Sequence, residues 1–178
     1  MPTLSRRQVL GLVSAGAMGL AGCQKPPIKV GFVGGLTGRT ADLGVAARDG
    51  ALLALEQANA SGGVGGRLLE LVTADDQQDP AAAGTAFHSL REAGVVVVVG
   101  PVTSAMAMAM VPLANAAQLT LISPTVTTSA LTGQDDQFFR VISSTREYAQ
   151  TSARFHAQRS RLLRVAAVWN IPVACNES

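Results

Sequence analysis

The sequence predicts an α/β fold: a doubly wound, largely parallel sheet with helices on both faces. Three observations carry that expectation. Short β-rich runs alternate with stretches of helical period from residue 28 onward. Five consecutive valines, Val95 to Val99, read as a strand buried on both faces. Glycine pairs and an Asp-Pro step punctuate the junctions between the two kinds of segment.

The elements follow in order. Ile28 to Val33 is a short strand. Asp42 to Asn59 has helical period, with Leu43, Ala47, Ala51, Ala54, Leu55 and Ala58 on one face. Ser61-Gly62-Gly63 and Gly65-Gly66 stop that helix, and Leu68 to Thr73 is the next strand. Pro80 suits a first helical turn with Asp79 as its N-cap, so a helix runs from there to Ala93, and Gly94 ends it. The valine run gives the third strand. Ser104 to Ala117 is helical, with Pro112 as an internal kink. Leu119 to Ile122 and Phe138 to Ile142 are the fourth and fifth strands, Arg146 to Arg159 is a helix, and Val165 to Trp169 is a sixth strand.

Ligands of open α/β sheets bind at the carboxyl ends of strands, beside a switch in strand order. The loops after Val33, Val99 and Ile122 are therefore the candidates. They read Gly34-Gly35-Leu36-Thr37-Gly38, Gly100-Pro101-Val102-Thr103-Ser104 and Ser123-Pro124-Thr125-Val126-Thr127-Thr128. Glycines and hydroxyls dominate them, and the nearest charge is Arg39.

Composition narrows the function classes. The chain has 178 residues, a size suited to one domain, and 48% of them are hydrophobic. No run after residue 23 reaches the roughly 20 apolar residues of a membrane span. The net charge is +2, and Arg6 and Arg7 account for it, leaving a nearly neutral body. Aromatic residues are 4% of the chain. Clustered cations and stacking aromatics are the needs of a nucleic-acid binder, so nucleic acid is not an expected partner. The two cysteines are Cys23 and Cys175. With Cys23 assigned to the leader, no disulfide framework is expected.

The first 23 residues have the layout of an export signal. Ser5-Arg6-Arg7 is the positive end, Val9 to Leu20 is a short apolar stretch, and Leu20-Ala21-Gly22-Cys23 closes it. A buried N-terminal helix is a poor alternative, because Gly11, Gly16 and Gly19 weaken a helix interior. The closing residues resemble a bacterial lipobox, which implies lipidation of Cys23 and cleavage before it. Ser5-Arg6-Arg7-Gln8-Val9-Leu10 resembles a twin-arginine signal, and the general secretory route stays open beside it. Residues 1–22 then form a lipoprotein signal peptide, and 23–27 a tether in which Lys25-Pro26-Pro27 is a short stiff spacer. The expected location is the periplasmic face of a bacterial membrane, inner or outer, with the chain anchored in the bilayer through acylated Cys23.

Catalytic readings find little support. No nucleophile and base stand in a recognisable arrangement, so an enzyme is not expected. His88 and His156 fall in predicted helices with no acid placed for either, and read as surface or satisfied side chains. Asp75, Asp76 and Asp79 could imitate an acidic Mg²⁺ site, but a strand-end turn followed by an N-cap explains them more simply, and no metal is expected. Gly31 to Gly38 lacks dinucleotide-binding spacing and is not followed by Gly-Lys-Ser/Thr, so no cofactor is implied. Met106, Met108 and Met110 read as packing residues.

Several stretches together resemble one family. They are Leu36-Thr37-Gly38, Gly44 with Asp49-Gly50-Ala51, Asn59 to Arg67, Asp75 to Pro80, Val99 to Ser104, Ile122 to Thr127, and Phe139-Arg140. In this order and spacing, from about residue 28 to 170, the chain resembles the substrate-binding proteins of branched-chain amino acid ABC transporters. The resemblance implies the first lobe of a type I periplasmic-binding fold that hands an amino acid, or a similar small polar ligand, to an ABC permease. It implies that Ser104, Thr125, Val126 and Thr127 line the ligand cleft, with Thr103 beside them, and that Leu43 touches the ligand side chain. Ser104 would offer a hydroxyl and a helix start to the carboxylate. Thr127, with the backbone around Thr125 and Val126, would take the rest of the carboxylate and the ammonium.

The departures are specific. Gly35 stands where family members often have proline, and Ser143-Ser144-Thr145-Arg146 stands where an aspartate often follows the strand into the second lobe. The family is about twice as long. Residues 28–143 then correspond to an incomplete first lobe and 144–178 to the truncated start of the second. A fragment or disrupted gene is the expectation, with weak ligand binding or none by the chain alone. An extracellular sensor domain, or a lipoprotein without binding function, are the rival readings. Ligand identity is left open.

Overall fold

The computed structural model describes residues 25–39, 41–159 and 166. The leader, Cys23 and the predicted sixth strand lie outside the described residues, apart from Ala166. Five strands form one parallel sheet: β1 (Ile28–Gly34), β2 (Leu69–Asp75), β3 (Val97–Val99), β4 (Leu121–Ser123) and β5 (Phe138–Arg140). Their order is β2-β1-β3-β4-β5. The helices are α1 (Ala41–Ala60), α2 (Pro80–Glu92), α3 (Ser104–Ala117) and α4 (Thr145–Arg159).

This order explains why helices cover both faces. The chain steps from β1 outward to β2 one way, then returns past β1 to β3, β4 and β5 the other way. Crossovers between parallel strands are right-handed, so reversing the direction of travel moves the helix to the opposite face. The reversal leaves a switch point between β1 and β3.

The main core lies on the face of α2 and α3. Val33, Val98, Leu121 and Phe138 from the strands meet Phe87 and Leu90 of α2 and Met106 and Met110 of α3. Each fully buried side chain of this size contributes about 1.5–3 kcal/mol. Met108 is turned out to solvent, so two of the three methionines pack in the core and one does not. Helix α3 continues unbroken through Pro112, whose side chain is exposed.

On the other face α1 lies over β1 and β2. Its predicted apolar side is only half-buried at Ala47, Ala51, Leu55 and Ala58, while Leu43 and Ala54 are exposed. The valine run also departs from expectation. Only Val97 to Val99 form the strand, Val96 is 62% exposed, and Val97 and Val99 are half-buried. Among the described residues no helix covers that side of β3, β4 and β5, so the run is shut on one face only. Phe139 of β5 points to the same open side and is 58% exposed.

Helix α4 starts with a reciprocal cap. Ser144 donates from N and Oγ to the Glu147 carboxylate, and the Glu147 N–H donates back to Ser144 Oγ. The Ser144 hydrogen bonds hold the Glu147 carboxyl below its ordinary range, with the Arg140 charge acting in the same direction. No residue of α4 is buried.

Candidate functional site

The site is built from the two loops that leave β3 and β4. Gly100 begins the first at φ +118°, and a Cβ there would stand 2.1 Å from the Val33 carbonyl oxygen. Only glycine lets the loop pass so close to β1. The Gly100 N–H donates to Ile122 O at 2.8 Å, which aligns the loop with β4.

Ser123 then joins the two loops. It is fully buried at the end of β4, and its Oγ donates to Pro101 O at 2.7 Å. The same oxygen accepts from Val126 N at 3.0 Å and Thr125 N at 3.3 Å. Thr125 adds a second link, its Oγ1 donating to Val102 O at 2.6 Å. Two hydrogen bonds between the neighbouring loops, and two within the second, therefore fix one surface, with α3 starting from it.

That start is unusual beside its neighbour. The N-cap of α2 is Asp79, whose Oδ1 accepts from Ala81 N and Ala82 N at 2.9 Å each. The N-cap of α3 is Thr103, which makes no side-chain cap hydrogen bond, and no acidic residue lies in the first turn. The first helical bond is Ala107 N to Thr103 O at 3.0 Å. The N–H groups of Ser104, Ala105 and Met106 thus have no partner within the helix. They lie at the positive end of the helix dipole, a favourable place for an anion.

The sequence-predicted residues fall into three groups. Thr103 and Ser104 stand at the helix start and Thr127 in the loop after β4, and the hydroxyls of all three are left unengaged by other described residues. The Thr127 carbonyl is occupied, accepting from Thr145 N at 2.8 Å and Thr145 Oγ1 at 3.3 Å. Thr125 and Val126 sit beside them but serve the loops: the Thr125 hydroxyl and both N–H groups are already hydrogen-bonded, and the Val126 side chain is in the core. Leu43, 42% exposed, stands in the first turn of α1 at the same end of the sheet.

Sequence reasoning missed Ser123, whose role depends on a carbonyl 22 residues away. The acidic pair at the end of β2 leads into a turn, as read. Asp75 accepts from Leu36 N, Gln77 N and Thr37 Oγ1, which binds the loop after β1 to β2. Burial pushes its carboxyl up, but these hydrogen bonds outweigh that and hold it below its ordinary value. Asp76 goes the other way. Burial raises it, helped by the charge of Asp75, against one hydrogen bond from Gln78 N. Among the described residues no group of three or more His, Cys, Asp or Glu could hold a metal ion. A groove of about 380 Å³ runs beside β2, lined by Thr73, Asp75, Gln77 and Thr85 among others, and includes neither Ser104 nor Thr127.

Comparison with known proteins decides the family. Residues 27–168 match the family described as periplasmic binding protein. The chain belongs to that family. A Pseudomonas aeruginosa relative named as a leucine-, isoleucine-, valine-, threonine- and alanine-binding protein is 33% identical over 133 residues, 74% of this chain and 36% of the relative. A Leu/Ile/Val-binding protein of Rhizobium johnstonii is 29% identical over 79% of this chain and 39% of its own length. Among solved structures, the substrate-binding protein LivJ of Streptococcus pneumoniae in complex with isoleucine matches with TM-score 0.64 and 36% identity, covering 66% of this chain and 34% of that one. An ABC transporter substrate-binding protein from Sphaerobacter thermophilus matches with TM-score 0.69 and 27% identity over 76% of this chain and 37% of its own. The chain thus spans well under half the length of the relatives it matches. As in those neighbours, the fold is a parallel sheet flanked by helices.

Proposed function

We propose that this chain supplies the first lobe of an exported solute-binding protein that captures a branched-chain or related amino acid and presents it to an ABC permease. The observation that carries the reading is the start of α3, where three N–H groups and the hydroxyls of Thr103 and Ser104 are available together. A carboxylate fills that arrangement by acting as the missing cap. Thr127 would share the carboxylate or hold the ammonium, and Leu43 would touch the ligand side chain. Thr125 and Val126 would act behind them, fixing the loop that offers Thr127. Neutral donors suit capture and release, since they bind an ion without chemistry, and the relatives are named as binding proteins. In this reading residues 28–143 are the lobe and 144–178 open toward a second one.

The test is amide NMR of the full chain titrated with leucine, isoleucine and valine. The Ser104, Ala105 and Thr127 signals are expected to move, while those of Ala81 and Ala82 stay. Movement at Ala81 and Ala82 as large as that at Ser104 and Ala105 would sink the reading.

Export and anchoring complete the proposal. Cys23 would carry the lipid and hold the domain at the outer face of the membrane, beside the permease. Radiolabelled palmitate should enter the chain and be lost in Cys23→Ala. Label that persists in that variant would refute the assignment.

A further inference from the structure

The tether is not free where it meets the domain. Arg67 Nε donates to Pro26 O at 2.8 Å, and its Nη2 donates to Pro27 O at 3.2 Å. Prolines lack an N–H, so this pair cannot extend β1 by ordinary strand pairing, and their carbonyls need an outside donor. The planar guanidinium suits two successive carbonyls, because its donors form a rigid fork.

The segment before β2 is built to present that fork. Val64 N donates to Arg67 O at 2.8 Å and Arg67 N to Val64 O at 3.1 Å, closing a two-residue turn around Gly65 and Gly66. Gly63, at φ +74°, passes so close that a Cβ would stand 2.0 Å from the Arg67 carbonyl oxygen. One residue further on, Leu68 O accepts from Ile28 N at 2.8 Å. The incoming chain is therefore gripped at Pro26 and Pro27 and at Ile28, where the strand begins.

We propose that Arg67 pins the tether so that the bilayer faces the strand-start edge of the sheet and the candidate ligand site opens away from it. The proposal rests on the lipid anchor at Cys23. Two residues, Gln24 and Lys25, separate Cys23 from Pro26, so the three chain steps reach at most about 11 Å. A pinned tether this short keeps the turn of residues 62–67 and the C-terminal end of α1 beside the headgroups. The site lies at the other end of the strands. Across β1 alone that is six rises of about 3.3 Å, or roughly 20 Å farther out. Without the pin the segment up to Ile28 would swivel, and the domain would sample many attitudes. The partner of this edge is the phospholipid surface itself.

The test measures energy transfer from the acylated full chain to headgroup-labelled acceptor lipid in vesicles. Acylation consumes the Cys23 thiol and Cys175→Ser removes the other, so one dye can be placed at Ala60→Cys or at Asp42→Cys. Both positions are exposed, and they stand about 27 Å apart along α1. The Ala60 dye is expected to transfer more strongly than the Asp42 dye, and Arg67→Ala to shrink that gap. Should Arg67→Ala fail to fold, a ten-residue Gly/Ser insertion between Gln24 and Lys25 leaves the pin intact and should close the gap through length alone. Equal transfer from the two ends in palmitate-bearing chain overturns the orientation. A gap unchanged in folded Arg67→Ala overturns the pin. Absence of palmitate overturns the anchor reading, and the orientation with it.

Discussion

Helices α2 and α3 pack side by side on the same face of the sheet, yet the chain finishes their N-termini in opposite ways. At α2, Asp79 closes on two N–H groups and Pro80 removes a third, so the end is complete within four residues. At α3, Thr103 has the extended backbone of an N-cap and a hydroxyl able to serve, but makes no cap bond. A completed cap contributes about 1 kcal/mol, so the open end forgoes stability that its neighbour takes. The difference teaches where to look for a ligand: the chain supplies its own anion to one helix and none to the first turn of the other.

Substitutions can break or sharpen this contrast. Gly100→Ala should have the largest effect, lowering stability in urea denaturation by about 3 kcal/mol, since its φ and the nearby Val33 carbonyl both reject a side chain. Ser123→Ala should cost about 2 kcal/mol in the same measurement, because it strands the Pro101 carbonyl and the Val126 N–H in a buried place. Asp79→Ala should cost about 1 kcal/mol, the worth of a working cap. Thr103→Asp should gain about 0.5–1 kcal/mol by closing the open end, and should suppress the amino-acid-induced shift of the Ser104 amide. Thr103→Ala should change stability by less than about 0.5 kcal/mol. A loss from Thr103→Ala equal to that from Asp79→Ala would show that the two ends are alike and dissolve the contrast.

Element order was legible because each element announces itself locally. Asp79-Pro80 states a helix start on its own, and Ser144 with Glu147 does the same for α4. The acidic turn after β2 was equally plain, since an aspartate can satisfy an N–H two residues on. The valine run misled for the opposite reason. Hydrophobicity shows that a strand is suited to burial, but whether a second helix arrives to bury it is settled elsewhere in the chain. Leu43 illustrates the same limit, apolar in its pattern yet exposed at the start of α1.

For the candidate site, the sequence by itself determined which loops to inspect and that Ser104 begins a helix. Those facts depend on residues within a turn of one another. Only the tertiary structure decided how the hydroxyls divide, with Ser123 and Thr125 spent on carbonyls 22 and 23 residues away and Thr103, Ser104 and Thr127 left available. It alone brought Arg67 to Pro26, 41 residues back. The physical reason is range. Capping and periodicity are settled over three or four residues of backbone, whereas a hydroxyl or guanidinium finds its partner only when folding brings distant chain within about 3 Å.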